Sequence, residues 1–211
     1  MDIDNPKKAI SPFLIILTLF LIGFGLRLYH LGTFSLCDDE IVTVLKLKSS
    51  FFSTLGGLRS AQFPPLHYVI LYGWTSLLGH SEWALRFPSA LFSALTVIVI
   101  YQLGYEFFNK EVGVVSALLL AFSPFALDYG QNVKMYALFW LLTAGAFLFL
   151  FLFIKTQEKR DLSLYVGTSI LSCYTMYTGF LFLLGHTIIY LLFGTRERAI
   201  YSRRCSISQE A

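Results

Sequence analysis

With 211 residues, 56% of them hydrophobic and only 14% charged, the chain is too apolar for a soluble domain of its size. Its net charge of +3 gathers at the ends of apolar stretches, a membrane-topology pattern that excludes the broad basic face of a nucleic-acid binder. The three cysteines (Cys37, Cys173, Cys205) and four histidines (His30, His67, His80, His186) show neither paired nor metal-type spacing, so no disulfide framework or zinc site is proposed.

The first apolar run, Ile10 to Leu28, is long enough to cross a bilayer. No small-residue cleavage site follows it, so it reads as an anchor, with Arg27 snorkelling to the interface. Next comes the acidic triplet Asp38-Asp39-Glu40. Asp38 is expected as an N-cap, with Asp39 and Glu40 in a first helical turn where acids suit the helix dipole. Ile41, Val44, Leu45, Phe52 and Leu55 recur at near-helical spacing and predict one helix lying on the membrane, ended by Gly56-Gly57.

Leu66 to Gly79 is short for a span and is read as re-entrant or interfacial. Spans are predicted at Ala84–Leu103, Val112–Leu127 and Tyr136–Ile154. The stretch Leu162–Phe193 is too long for one helix and is expected to break at the polar patch Thr175 to Gly179. The predicted fold is all-α, a polytopic transmembrane helix bundle with an extracytoplasmic loop containing interfacial helices. Residues 1–195 form the module and 196–211 a cytoplasmic basic and polar tail.

Basic clusters sit at Lys7-Lys8, at Lys155, Lys159 and Arg160, and at Arg196, Arg198, Arg203 and Arg204. If Leu66–Gly79 does not cross, all three lie inside by the positive-inside rule. The 38–62 loop, the Asp128–Lys134 loop and the 175–179 turn then share the extracytoplasmic face.

Each polar group on that face has a plain reading beside a functional one. The acidic triplet can simply cap an interfacial helix, or Asp39 can take a proton from an acceptor hydroxyl. Glu40, on another side of the helix, would orient Asp39 or hold a cation. Phe63-Pro64-Pro65-Leu66-His67-Tyr68 is a rigid turn into a helix, or a device that brings His67 or Tyr68 to a site. Arg86 is a snorkelling residue, or an ion-pair partner for an acid such as Glu82 four residues earlier. Lys134 stands out as a cation on a face expected to be poor in them, and could meet the charge that develops on a leaving phosphate. The hydroxyls from Tyr174 to Gly179 can bind sugar or merely turn a helix pair.

In their order, these segments resemble the N-terminal part of the GT-C glycosyltransferases. The resemblance is to the branch with dolichyl-phosphate-mannose–protein mannosyltransferases and bacterial lipid-A or lipopolysaccharide sugar transferases. Asp39-Glu40 matches the outer-loop Asp-Glu, Phe63-Pro64-Pro65-Leu66 the His-Pro-Pro-Leu element, and Ala84 to Ser89 the Ala-Leu-Arg-Leu-Pro-Ser segment. Gln131 to Tyr136 matches Gln-Glu-Ala-Arg-Met-Tyr. The departures are Phe63 for His, Asn132 for Glu and Lys134 for Arg. Members of this branch usually have more residues and further spans, so the chain is expected to correspond to the catalytic front half of the fold.

The resemblance implies transfer, with inversion, of mannose or a similar hexose or pentose from a polyprenyl-phosphate carrier. The acceptor would be a hydroxyl of a protein, lipid or glycan on the extracytoplasmic face of the plasma membrane. It assigns Asp39 as general base and Glu40, His67, Arg86, Gln131, Lys134 and Tyr136 to substrate binding. A divalent cation near Asp39-Glu40 is compatible with this, though no ligand cluster demands one. Two other classes stand beside it: a truncated, non-catalytic membrane protein that binds the lipid carrier or a partner subunit, and a transporter. The transporter is disfavoured because the polar residues gather at one face and the spans lack buried charges.

Overall fold

The computed structural model describes residues 11–47, 50–60 and 64–194. Lys7-Lys8, Phe63 and the 196–211 tail with its four arginines and Cys205 lie outside the described residues. Among those described the chain is helical throughout, with no strand. The helices are α1 (Pro12–Leu28), α2 (Asp38–Leu45), α3 (Phe51–Ser60), α4 (Leu66–Leu78), α5 (Glu82–Phe107), α6 (Lys110–Ala121), α7 (Pro124–Gly130), α8 (Tyr136–Thr156), α9 (Lys159–Thr175) and α10 (Gly179–Ile189). A π-helical turn, Tyr190–Gly194, follows.

By length and composition α5 and α8 can cross a membrane, and α6 with α7 makes a third candidate if the bent pair is one span. The apolar stretches Pro12–Leu28 and Gly179–Leu192 are shorter. At 13 residues, α4 is about 20 Å long, well under a hydrocarbon core. The expected break after Thr175 is present, since α9 ends there and α10 begins at Gly179. Compared with its neighbours α9 is polar, opening on Lys159, Arg160 and Asp161.

Three expectations are corrected. Val112–Leu127 is not one straight span: α6 and α7 meet at 62°. Ser123 and Pro124 are the cause, because the Ser123 hydroxyl accepts from Ala126 N (3.4 Å) and Pro124 opens the new helix. The surface helix after the acidic triplet is also two helices. Ser50 Oγ accepts from Ser53 N (3.2 Å) and starts α3, so Gly56-Gly57 lies inside a helix instead of ending one. Finally, the N-cap of α2 is Cys37, with Asp38 as its first helical residue.

Small residues set the packing. A β-carbon on Gly104 would lie 2.7 Å from Gly113 Cα, so α5 and α6 cross almost backbone to backbone. Beside that crossing, Leu19, Val97, Tyr101, Ala117 and Ala121 form one buried cluster from α1, α5 and α6. A second cluster does the positioning. Leu71 of α4, Leu85 of α5 and Val133 of the 131–135 loop are buried together, with Leu36, Val44 and Leu47 packed against them. The α2 segment, α4 and the loop before α8 thereby converge at one end of α5.

Candidate active site

Glu40 is the knot of this convergence. Its residue is 1% exposed, yet both carboxylate oxygens are fully used. Oε1 accepts from Arg86 Nε (3.0 Å) and Val133 N (2.9 Å). Oε2 accepts from Arg86 Nη2 (2.6 Å) and Cys37 N (3.1 Å). Arg86 spends its remaining donors on the carbonyls of Leu31, Phe34 and Ser35 (3.2, 2.7 and 3.2 Å). Burial pushes the Glu40 carboxyl up, but the hydrogen bonds from Arg86, Val133 and Cys37 and the charge of Arg86 outweigh it. The group therefore titrates below the ordinary glutamate value. One bidentate pair ties α2, α5, the 31–35 segment and the 131–135 loop together.

Two sequence expectations change here. Arg86 does not pair with Glu82, and Glu40 is not free to hold a cation or orient Asp39 by direct contact. A cation at Asp39-Glu40 would find only the Asp39 carboxylate unspent by the knot, and among the described residues no group of three or more His, Cys, Asp or Glu side chains could hold a metal ion.

With Glu40 turned inward, its neighbour Asp39 turns out. The Asp39 side chain is 87% exposed, and its Oδ1 lies 3.9 Å from Lys134 Nζ. Lys134 is held by its own backbone, whose carbonyl accepts from Ser89 Oγ (3.4 Å). His67, at the start of α4, is 3% exposed, and its Nε2 has no hydrogen-bond partner among the described residues. Burial first, and then the charge of Lys134, push its pKa down to about 4, so the ring is neutral near pH 7.

Gln131 takes a structural post: its Nε2 donates to the carbonyls of Arg27 (3.0 Å) and Tyr29 (2.8 Å), pinning the end of α1 to the loop. Tyr136, at the first turn of α8, meets the edge of Tyr129 at 5.0 Å between ring centroids. Arg27 does not snorkel, and the expectation that the spans lack buried charges fails with it. Arg27 is 0% exposed, with Nε donating to Ser93 Oγ (2.6 Å) and Nη1 to Gly23 O (2.9 Å). Gly130 makes the room, since a β-carbon there would lie 3.3 Å from Arg27 Nε.

The residue that sequence reasoning passed over is Lys46, at the C-terminal end of α2. Its ammonium reaches the Tyr68 hydroxyl at 3.4 Å and lies 5.7 Å from the centre of that ring. A lysine after a surface helix looks like an ordinary dipole partner, so no local signal marks it.

Apart from this cluster, α5, α6, α8 and α10 line an open apolar groove of about 710 Å³, with Thr96, Leu120, Trp140, Phe147, Phe182 and His186 among its residues.

Residues 62–207 match the family described as dolichyl-phosphate-mannose-protein mannosyltransferase. The chain belongs to that family. No curated protein and no solved structure matches it. The mannosyltransferase match takes in α4, Arg86, Gln131, Lys134 and Tyr136, and begins after Asp39 and Glu40. Family membership makes the chain a membrane glycosyltransferase of the GT-C type. The geometry adds that Glu40, just upstream, is fastened by Arg86 and Val133 to the matched region.

Proposed function

We propose that the chain transfers a sugar, mannose or a similar hexose or pentose, from a polyprenyl-phosphate carrier to an acceptor hydroxyl on the extracytoplasmic face, with inversion. The observation that carries this reading is the pairing of an exposed carboxylate, Asp39, with Lys134 at 3.9 Å, on a frame fixed by the buried Glu40–Arg86 pair. Asp39 takes the acceptor proton as the acceptor oxygen bonds to the anomeric carbon. The bond from that carbon to the phosphate oxygen breaks, and its electron pair stays on the phosphate. Lys134 balances the charge gained there. Inversion follows from attack on the side opposite the phosphate, through an oxocarbenium-like transition state. The prenyl chain would lie along the apolar helices, and the open groove of about 710 Å³ offers it room.

In this reading His67 contributes a neutral ring to the floor of the site, Arg86 and Gln131 hold its walls, and Tyr136 shapes the sugar side. Lys134→Ala is expected to lower transfer on the order of 100-fold, as loss of a contact to the developing oxyanion does. The check is steady-state kinetics with a polyprenyl-phospho-sugar, and unchanged kinetics would remove Lys134 from the phosphate.

The proposed face has its own test. Cys37 is exposed two residues before Asp39, whereas Cys205 belongs to the expected cytoplasmic tail. A membrane-impermeant maleimide added to intact cells should label Cys37, and Cys205 should label only after permeabilisation. The reverse pattern would put the site on the cytoplasmic side.

A further inference from the structure

Lys46 and Lys134 come from separate segments, yet one apolar cluster brings them together. Val44 and Leu47, on either side of Lys46, pack against the cluster of Leu71, Leu85 and Val133, and Val133 is the residue before Lys134. The charge of Lys134 is felt at both Lys46 and His67. Burial, and next that charge, pull the Lys46 ammonium below the ordinary lysine value. The two ammonium charges repel; the Asp39 carboxylate, 3.9 Å from Lys134 Nζ, offsets one of them, and a further bound anion relieves what remains. Beside them stand the Tyr68 hydroxyl, 3.4 Å from Lys46 Nζ, and His67, whose buried Nε2 has no partner among the described residues and whose ring lies 5.6 Å from that of Tyr68. The ordinary role for Lys46 is to offset the C-terminal end of α2. That role does not require the side chain to reach across to α4.

Resting on the reading of the site as a sugar-phosphate transferase, we propose that Lys46 is a second phosphate-binding cation, which with Lys134 holds the polyprenyl monophosphate dianion in preference to a phosphodiester. The chemistry makes the distinction matter. The donor is a diester with one negative charge, and cleavage of its bond to the sugar leaves a monoester with close to two at pH 7. One lysine matches the arriving group, and two match the departing one. Lys46 thus favours the transition state over the bound donor, because the second charge appears only as the bond breaks.

The test uses the full chain in lipid nanodiscs and two probes, farnesyl phosphate and its methyl ester, a monoester and a diester on the same prenyl chain. Binding is followed by titration calorimetry. The wild type is expected to bind the monoester about tenfold more tightly than the diester, the scale of one charge-assisted contact. Lys46→Gln should bring that ratio close to one while leaving diester binding nearly intact, and Lys46→Arg should preserve it. A Lys46→Gln chain that binds both probes and keeps the wild-type ratio overturns the proposal for Lys46 and leaves the transferase reading standing. A wild-type chain that binds neither probe overturns both.

Discussion

Glu40→Gln is expected to cost about 3–5 kcal/mol of stability, because it leaves the Arg86 guanidinium buried without its counter-charge. The amide is nearly the size of the carboxylate, so the loss is electrostatic rather than steric. It also replaces one acceptor oxygen with a donor. Whichever way the amide turns, it faces Arg86 Nη2 and Cys37 N, or Arg86 Nε and Val133 N, with a hydrogen where an oxygen is needed. The loop 31–35, α2 and the 131–135 loop then lose their common fastening, and Asp39 and Lys134 lose their register. Thermal unfolding of purified wild type and variant in the same detergent measures this. A second sign follows from titration. The folded Glu40 carboxyl titrates below its unfolded value, so its contribution is present above the unfolded value and fades as pH falls through the folded one. The gap between wild type and Glu40→Gln should therefore narrow on acidification below about pH 4. Equal melting temperatures at neutral pH would remove the pair from its fastening role.

What the sequence made legible follows local rules. The break at Thr175–Gly179 and the shortness of α4 are properties of a single stretch, and both are present. The acidic triplet, Arg86 and the 131–136 loop, each near a helix end, meet through Glu40. The missed features are long-range or sterically set. An i, i+4 rule points Arg86 to Glu82, whereas its partner Glu40 lies 46 residues away and is reached only when Leu71, Leu85 and Val133 close the cluster. Two of the donors to the Glu40 carboxylate are backbone amides, those of Cys37 and Val133, which have no side-chain signature. Arg27 looked like a snorkelling residue because lipid is the default neighbour for a helix end. Gly130 and Ser93 instead open a buried slot for it, which pattern alone does not reveal. The Ser123-Pro124 dipeptide was readable as a helix start, but the apolar run across it concealed the bend.

Asp39→Asn carries the largest expected effect on activity, a fall in kcat of about 10²–10⁴-fold, the usual worth of a positioned general base. The amide keeps the shape and the contact distance of the side chain but cannot accept the acceptor's proton at neutral pH. Stability should hardly change: the side chain is 87% exposed, and its 3.9 Å pair with Lys134 is worth little at that exposure. Donor affinity should change little as well, since Lys134 rather than Asp39 meets the phosphate. This separates the variant from Glu40→Gln, which loses fold and activity together. The decisive measurement is the release of polyprenyl phosphate from a polyprenyl-phospho-sugar, matched to glycosylated acceptor, by wild-type and Asp39→Asn chains reconstituted in the same vesicles. Equimolar products from the wild type and almost none from an equally stable Asp39→Asn chain are predicted. Turnover by Asp39→Asn at the wild-type rate, or none from a folded wild type, would contradict the role given to Asp39.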